Sequence, residues 1–156
     1  AEVRRPGGRY EAVRSGFGPL ARYIFAKDRP GDKIAMTAPV TQNKTEDDSD
    51  WVVRFIMPSE YSVNDLPPPG TKDVEIKRLD ASRKAAIRFS GVATDYLIAE
   101  SEMRLRKWMN DNGLEPEGPP IYAYYSDPLT PGFLRRNEVL FDIEVQEDAR
   151  AVDAPD

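Results

Sequence analysis

The chain has 156 residues and contains neither cysteine nor histidine. Those two absences exclude Cys/His zinc sites, Ser-His-Asp and Cys-His triads, disulfide frameworks, and thiolate or imidazole ligation of a metal. The net charge is −5, but Glu46, Asp47, Asp48 and Asp50 hold −4 and residues 147–156 hold −3; the rest stands at +2, with no nucleic-acid footprint.

Ala1 to Arg5 reads as a short strand, closed by Pro6-Gly7-Gly8. A helix follows over Arg9 to Ala26, with Pro19 inside it. Interior proline costs about 3 kcal/mol. Val13, Phe17, Leu20 and Ile24 nevertheless keep one stripe across it, so a bent helix is expected. Ile34 to Gln42 and Trp51 to Met57 are expected strands, joined by the acidic loop, which reads as a solvated or disordered segment. Ile34 to Val40 is the longest nearly apolar stretch and is far too short to span a bilayer. Leu66-Pro67-Pro68-Pro69-Gly70 is too proline-rich for helix or central strand and reads as a linker.

Beyond it, Val74 to Leu79 and Lys84 to Val92 alternate with period two and predict strands. Thr94 or Asp95 can cap a helix that stops at Asn112-Gly113. Ile121 to Tyr125 and Val139 to Val145 are two further strands, separated by the turn-rich Asp127 to Gly132. The second half is thus strand-strand-helix-strand-strand, and the first half shows the same order without its opening strand. The domain expected is α+β, residues 1–146, with a first repeat over about 1–65, a second over about 72–146, and an acidic tail at 147–156. No signal-peptide pattern opens the chain. A soluble protein is expected, cytoplasmic in preference, or periplasmic after loss of an upstream signal segment.

Placed at about 100° per residue, the first helix shows the core stripe and, beside it, a strip of Arg14, Gly18, Ala21 and Phe25 with Arg22 adjoining. Arg14 and Arg22 stand about 12 Å apart along the axis. A smooth apolar patch between two guanidinium groups suits a flat hydrophobic carboxylate ligand, because arginine binds carboxylate through a planar fork. Two solvated arginines beside small residues are the simpler account. On the second helix, Leu97, Ile98, Leu105, Trp108 and Met109 form the core face, and Tyr96, Ala99 and Met103 a second apolar face. Tyr122, Tyr124 and Tyr125 with Arg135-Arg136-Asn137-Glu138 form a cluster that is either a ligand clamp or a closed turn. No phosphate loop, dinucleotide fingerprint or nucleophile elbow is present.

Several segments resemble the SOUL/haem-binding protein family, in a bacterial-type member. These are Gly16 to Phe25, the octapeptide Lys33-Ile34-Ala35-Met36-Thr37-Ala38-Pro39-Val40, Arg54-Phe55-Ile56-Met57-Pro58, Arg88-Phe89-Ser90-Gly91, Tyr124 to Pro131, and Arg135 to Glu138. The resemblance implies a distorted antiparallel β-barrel with two helices and a pseudo-twofold repeat, an architecture shared with bacterial effector-binding domains. It also implies an earlier strand that this chain lacks, either as a truncated or processed form or through removal of an N-terminal segment. The resulting open sheet edge could pair with another chain.

The family binds haem and other tetrapyrroles. In one branch the porphyrin lies on the first helix at positions that fall on Arg14, Phe17 and Arg22, and a loop lysine falls on Thr130 here. The other branch's proposed histidine lies in the missing region. The leading expectation is a non-enzymatic protein for tetrapyrrole storage, transport or buffering, with haem or another tetrapyrrole held non-covalently. The ligand site expected is Arg14, Phe17, Gly18, Ala21, Arg22, Phe25 and Thr130. The alternatives are a small-molecule effector or sensor module, an enzyme with Glu138 or Tyr125 as acid, and a structural interaction protein.

Overall fold

The computed structural model describes residues 1–127 and 129–144. In chain order it contains β1 (Glu2–Arg5), α1 (Arg9–Ile24), β2 (Val40–Lys44), β3 (Trp51–Phe55), β4 (Arg83–Ser90), α2 (Asp95–Asp111), β5 (Pro116–Tyr124) and β6 (Arg136–Ile143). A 3-10 turn at Gly132–Leu134 precedes β6. All strand pairs are antiparallel, and the six strands run β1-β3-β2-β5-β6-β4 across one sheet. Each half supplies strand, helix, strand, strand, so the order reads alike from either edge. The expected barrel is not formed by the described strands: β1 and β4 are edges and do not pair with each other.

Alternation of side chains assigns the two sheet faces. The register aligns Val3, Val53, Gln42, Tyr122, Val139 and Ile87 across all six strands. Both helices cover this row. α1 packs on β1 and β3, and α2 on β4 and β6. Two apolar clusters result. One joins Leu20, Tyr23 and Ile24 of α1 to Val3, Val53 and Phe55. The other joins Ile98, Leu105 and Met109 of α2 to Val139, Phe141 and Tyr122. The intervening residues Glu2, Arg54, Thr41, Ala123, Glu138 and Arg88 make a row on the helix-free face.

α1 runs through Pro19 as one helix. Full burial of Leu20, Tyr23 and Ile24, each side chain worth about 1.5–3 kcal/mol, outweighs the proline penalty. Gly16 lets the helix approach closely, since a β-carbon there would stand 3.0 Å from Val3 and 3.1 Å from Val53. The helix ends where Lys27 N donates to Arg22 O at 2.9 Å and Ala26 turns left-handed at φ 52°. The buried centre of α1 is Ala12, Gly16, Leu20, Tyr23 and Ile24, so Val13 and Phe17 sit on the shoulder of the expected stripe. On α2, Trp108 is 53% exposed rather than core.

Several expected strands differ; β6, for one, begins at Arg136 rather than Val139. Ile34 to Pro39 is not strand, and β2 begins only at Val40. Ile34 N instead bonds Ile24 O at 2.7 Å, anchoring the segment to the end of α1, and Pro39 has no N–H for a ladder. Val74 to Leu79 pairs only through a single bridge, Glu75 to Glu2. Its alternation reflects Val74 and Ile76 packing into the α1 cluster before the chain leaves the β1 edge. β5 starts at Pro116, with a register irregularity between Glu117 and Ile121. The acidic loop is a hydrogen-bonded turn, Thr45 N donating to Asp50 O at 2.9 Å. Val145 and the tail 147–156 lie outside the described residues. The linker is packed: Tyr23 hydroxyl donates to Pro67 O at 2.8 Å, and a β-carbon on Gly70 would stand 1.6 Å from Asp28 O.

Candidate functional site

The outer face of α1 carries Arg14, Gly18 and Arg22 exposed and Ala21 half-buried, with Phe25 at the C-cap 40% exposed. The structure therefore gathers five of the seven expected residues on one helix face. A β-carbon on Gly18 would meet nothing within 4 Å, so the middle of the strip is open. Gly18 also precedes Pro19, where a larger residue would crowd the ring. Arg22 stands 3.7 Å from Asp28, a long pair at the surface and therefore a weak one. Phe17 turns inward: its ring meets Phe55 edge-on at 5.1 Å between centroids. It forms the wall between strip and core.

Thr130 belongs to the loop between β5 and β6, away from α1 in sequence but at the same end of the sheet. Register shows this: Phe55 pairs with Val40, and Val40 with Tyr124, from which the loop departs. Thr130 N donates to Asp127 O and its carbonyl accepts from Arg135 Nε, both at 2.9 Å. Leu129, Phe133 and Leu134 of this loop are 91%, 77% and 62% exposed. Sequence reasoning missed these three, and also Tyr10, exposed on the first turn of α1. Tyr10 stands seven residues before Phe17 and hence on the same flank, a spacing that could have revealed it.

The two helices start together around Arg9. Its guanidinium donates to Asp95 Oδ1 at 2.9 Å, Tyr124 hydroxyl at 3.0 Å and Ala93 O at 2.8 Å. Gln42 completes the knot, donating to Arg9 O at 2.7 Å and accepting from Tyr124 hydroxyl at 2.9 Å. Burial pushes the Tyr124 phenol up, against the pull of Arg9.

The tyrosine–arginine cluster is a closed network at the end of β6. Glu138 accepts from Tyr125 hydroxyl at 2.8 Å and from Arg136 Nη2 at 2.7 Å. Burial would raise the Glu138 carboxyl, but these two hydrogen bonds prevail and hold it below the ordinary range. Tyr125 is raised by burial and then by Glu138. A carboxylate held ionised is ill suited to donate a proton near neutral pH. Among the described residues, no group of three or more acidic side chains is arranged to hold a metal ion. None of the described helices is long and apolar enough to cross a membrane.

The architecture is that of an α+β protein whose antiparallel sheet carries two helices on one face, with an open, arginine-flanked strip on the first. The family model described as SOUL heme-binding protein matches residues 1–142, and the chain belongs to that family. No curated protein matches it. Among solved structures it is similar to a hydrolase from Listeria innocua, at 15% identity and TM-score 0.60, covering 92% of this chain and 85% of that one. It is also similar to an uncharacterized conserved protein from Listeria innocua, at 14% identity and TM-score 0.62, covering 92% and 86%. At these identities the likeness concerns the fold alone.

Proposed function

We propose that this protein binds a tetrapyrrole, haem or a free porphyrin, in a storage, transport or buffering role, as one domain over residues 1–146. The observation that carries the reading is the open strip on α1 in a chain of the SOUL family. The macrocycle lies over Gly18 and Ala21, between the Phe17 wall and Phe25. Arg14 and Arg22 take the propionates, Arg22 exchanging its long contact with Asp28 for a ligand carboxylate. Thr130 and its exposed apolar loop border the same end of the sheet. What supports such a ligand is the open space at Gly18 and the two exposed arginines, Arg14 and Arg22, on either side of it along the helix. Bound haem would supply its iron chemistry without an imidazole or thiolate from these 156 residues. The chain's own part is apolar contact and charge.

Titration of haem into the full chain should shift the Soret band and saturate at about one equivalent. Arg14→Glu combined with Arg22→Glu should weaken binding about tenfold or more while leaving the circular dichroism unchanged, because both side chains are exposed. Unchanged affinity would remove the strip from consideration. A spectrum that never shifts would remove the ligand class.

A further inference from the structure

The β5–β6 loop carries three large apolar side chains that take no part in the core. Leu129, Phe133 and Leu134 are 91%, 77% and 62% exposed, and none of them belongs to either apolar cluster under the helices. Val92, 51% exposed, lies directly against the loop: a β-carbon on Gly132 would stand 2.9 Å from its Cγ2. Together the four side chains expose about 500 Å² of apolar surface, at the upper end of what one patch on a monomer shows.

The backbone beneath these side chains is tied down. Leu129 N donates to Asp127 Oδ1 at 2.7 Å, and Thr130 N to Asp127 O at 2.9 Å. Leu134 N donates to Pro131 O at 2.9 Å and Arg135 N to Gly132 O at 3.1 Å, closing the 3-10 turn. Gly91 N donates to Arg135 O at 3.1 Å, which fastens the loop to the turn before α2. Arg135 Nε caps Thr130 O at 2.9 Å. These polar groups are satisfied inside the protein, so they can approach an apolar medium without losing a partner. Side chains presented on an ordered backbone also lose less freedom on binding.

Area and charge select the partner. A stable protein complex takes about 800 Å² from each side, more than this patch offers. Insertion into a lipid surface needs only apolar side chains on a backbone that satisfies itself. Around the loop stand Arg9, Arg88, Arg135 and Arg136 against Asp95, Asp127 and Glu138. Arg9 is paired with Asp95 at 2.9 Å and Arg136 with Glu138 at 2.7 Å. A balance so close to neutral gives little attraction to an anionic surface. We propose that the β5–β6 loop is a membrane-contact site, inserting Leu129, Phe133 and Leu134 into the interface of a lipid bilayer by apolar burial, whatever the headgroup charge. The loop also borders the proposed tetrapyrrole, so the ligand-free chain is the one to test, and failure of either reading leaves the other standing.

The test is flotation of the ligand-free full chain with phosphatidylcholine vesicles, at about 0.15 M and about 1 M NaCl. Half of the chain should float at about 1 mM lipid, equally at both salt concentrations, because apolar insertion is not screened. Phe133→Ser combined with Leu134→Ser should weaken partition by about tenfold or more with the circular dichroism unchanged, since both side chains are exposed. The chain holds no cysteine, so Leu129→Cys gives a single attachment point for an environment-sensitive fluorophore. Its emission should shift to the blue on vesicles and be quenched by nitroxide-labelled acyl chains, whereas the same label on Glu100→Cys, exposed on α2, should do neither. No flotation at about 10 mM lipid, undiminished flotation of the double variant, or flotation abolished by salt would each overturn the proposal. So would self-association without flotation that the double variant loses, since the patch would then serve a second copy of the chain.

Discussion

Arg29 offers the sharpest test of how the end of α1 is held. Its side chain is 7% exposed and no carboxylate pairs with it among the described residues. The guanidinium donates instead to three carbonyls, Tyr23 O at 2.8 Å, Pro30 O at 2.9 Å and Asp32 O at 3.0 Å. It also lies 5.0 Å from the centre of the Tyr23 ring. In Arg29→Met the carbonyls of Pro30 and Asp32, on exposed residues, regain water at little cost. Tyr23 is fully buried, so its carbonyl loses a charged hydrogen bond worth about 1.5–3 kcal/mol. The cation–ring contact adds about 0.5–1 kcal/mol. Methionine keeps most of the stem packing. The expected loss is about 2–4 kcal/mol, read as a lowered urea midpoint at unchanged slope. Arg29→Lys should fall between, since one ammonium cannot reach three divergent carbonyls as a planar fork does. A loss under about 0.5 kcal/mol for methionine, or a lysine variant equal to wild type, would refute the assignment, since neither fits a buried charged bond.

Two further outcomes follow from burial. Gly16→Ala should destabilise by up to about 2 kcal/mol despite a helix-propensity gain near 1 kcal/mol, because overpacking against Val3 and Val53 costs about 1–3 kcal/mol; a stabilised variant in urea unfolding would contradict the packing. At alkaline pH, Tyr23, Tyr122, Tyr124 and Tyr125 all have phenols raised above the ordinary 10.0, burial being the first cause in each. The folded chain then binds these protons more tightly than the unfolded chain. Their stabilisation is intact below pH 10.0 and is lost as pH rises through the folded values. Phenolate absorbance of these four should appear together with loss of the circular dichroism signal; full ionisation of a folded chain would count against it.

How far this was legible in the sequence depended on whether a local pattern had one structural cause. β3, β4 and both helices were readable because their apolar spacing points one way, and α2 adds a cap, Thr94 Oγ1 accepting from Leu97 N at 3.2 Å. Val74 to Leu79 alternates as cleanly, yet pairs once. The segment leaves the β1 edge after that bridge and rejoins the sheet as β4 at the opposite edge, a constraint that no local window contains. Trp108 followed the α2 apolar spacing and still faces solvent, because packing of β4 and β6 selects a narrower arc than hydrophobicity does. The α1 strip was readable because helical angle alone collects Arg14, Gly18, Ala21 and Arg22. The place of Thr130 was not, since it depends on strand register.

The angular division of α1 ties stability to the proposed function. Leu20, Tyr23 and Ile24 carry the burial on one side, enough to accommodate Pro19, so the strip opposite contributes little to folding. Gly18 illustrates this. Its identity is explained locally by Pro19, and the same absence of a side chain leaves a flat area for a ring. Exposed arginine–carboxylate pairs contribute only about 0–1 kcal/mol each, so on the proposed reading Arg14 and Arg22 orient a tetrapyrrole more than they retain it. Retention then falls to apolar area from Phe17, Ala21 and Phe25, and to the exposed Leu129, Phe133 and Leu134 of the β5–β6 loop. With neither histidine nor cysteine in these 156 residues, no strong iron bond from those side chains supplements that area. A chain so built should bind a metal-free porphyrin nearly as well as haem, and a large preference for the iron form would mean that a different donor, such as Tyr10 on the same flank, takes part.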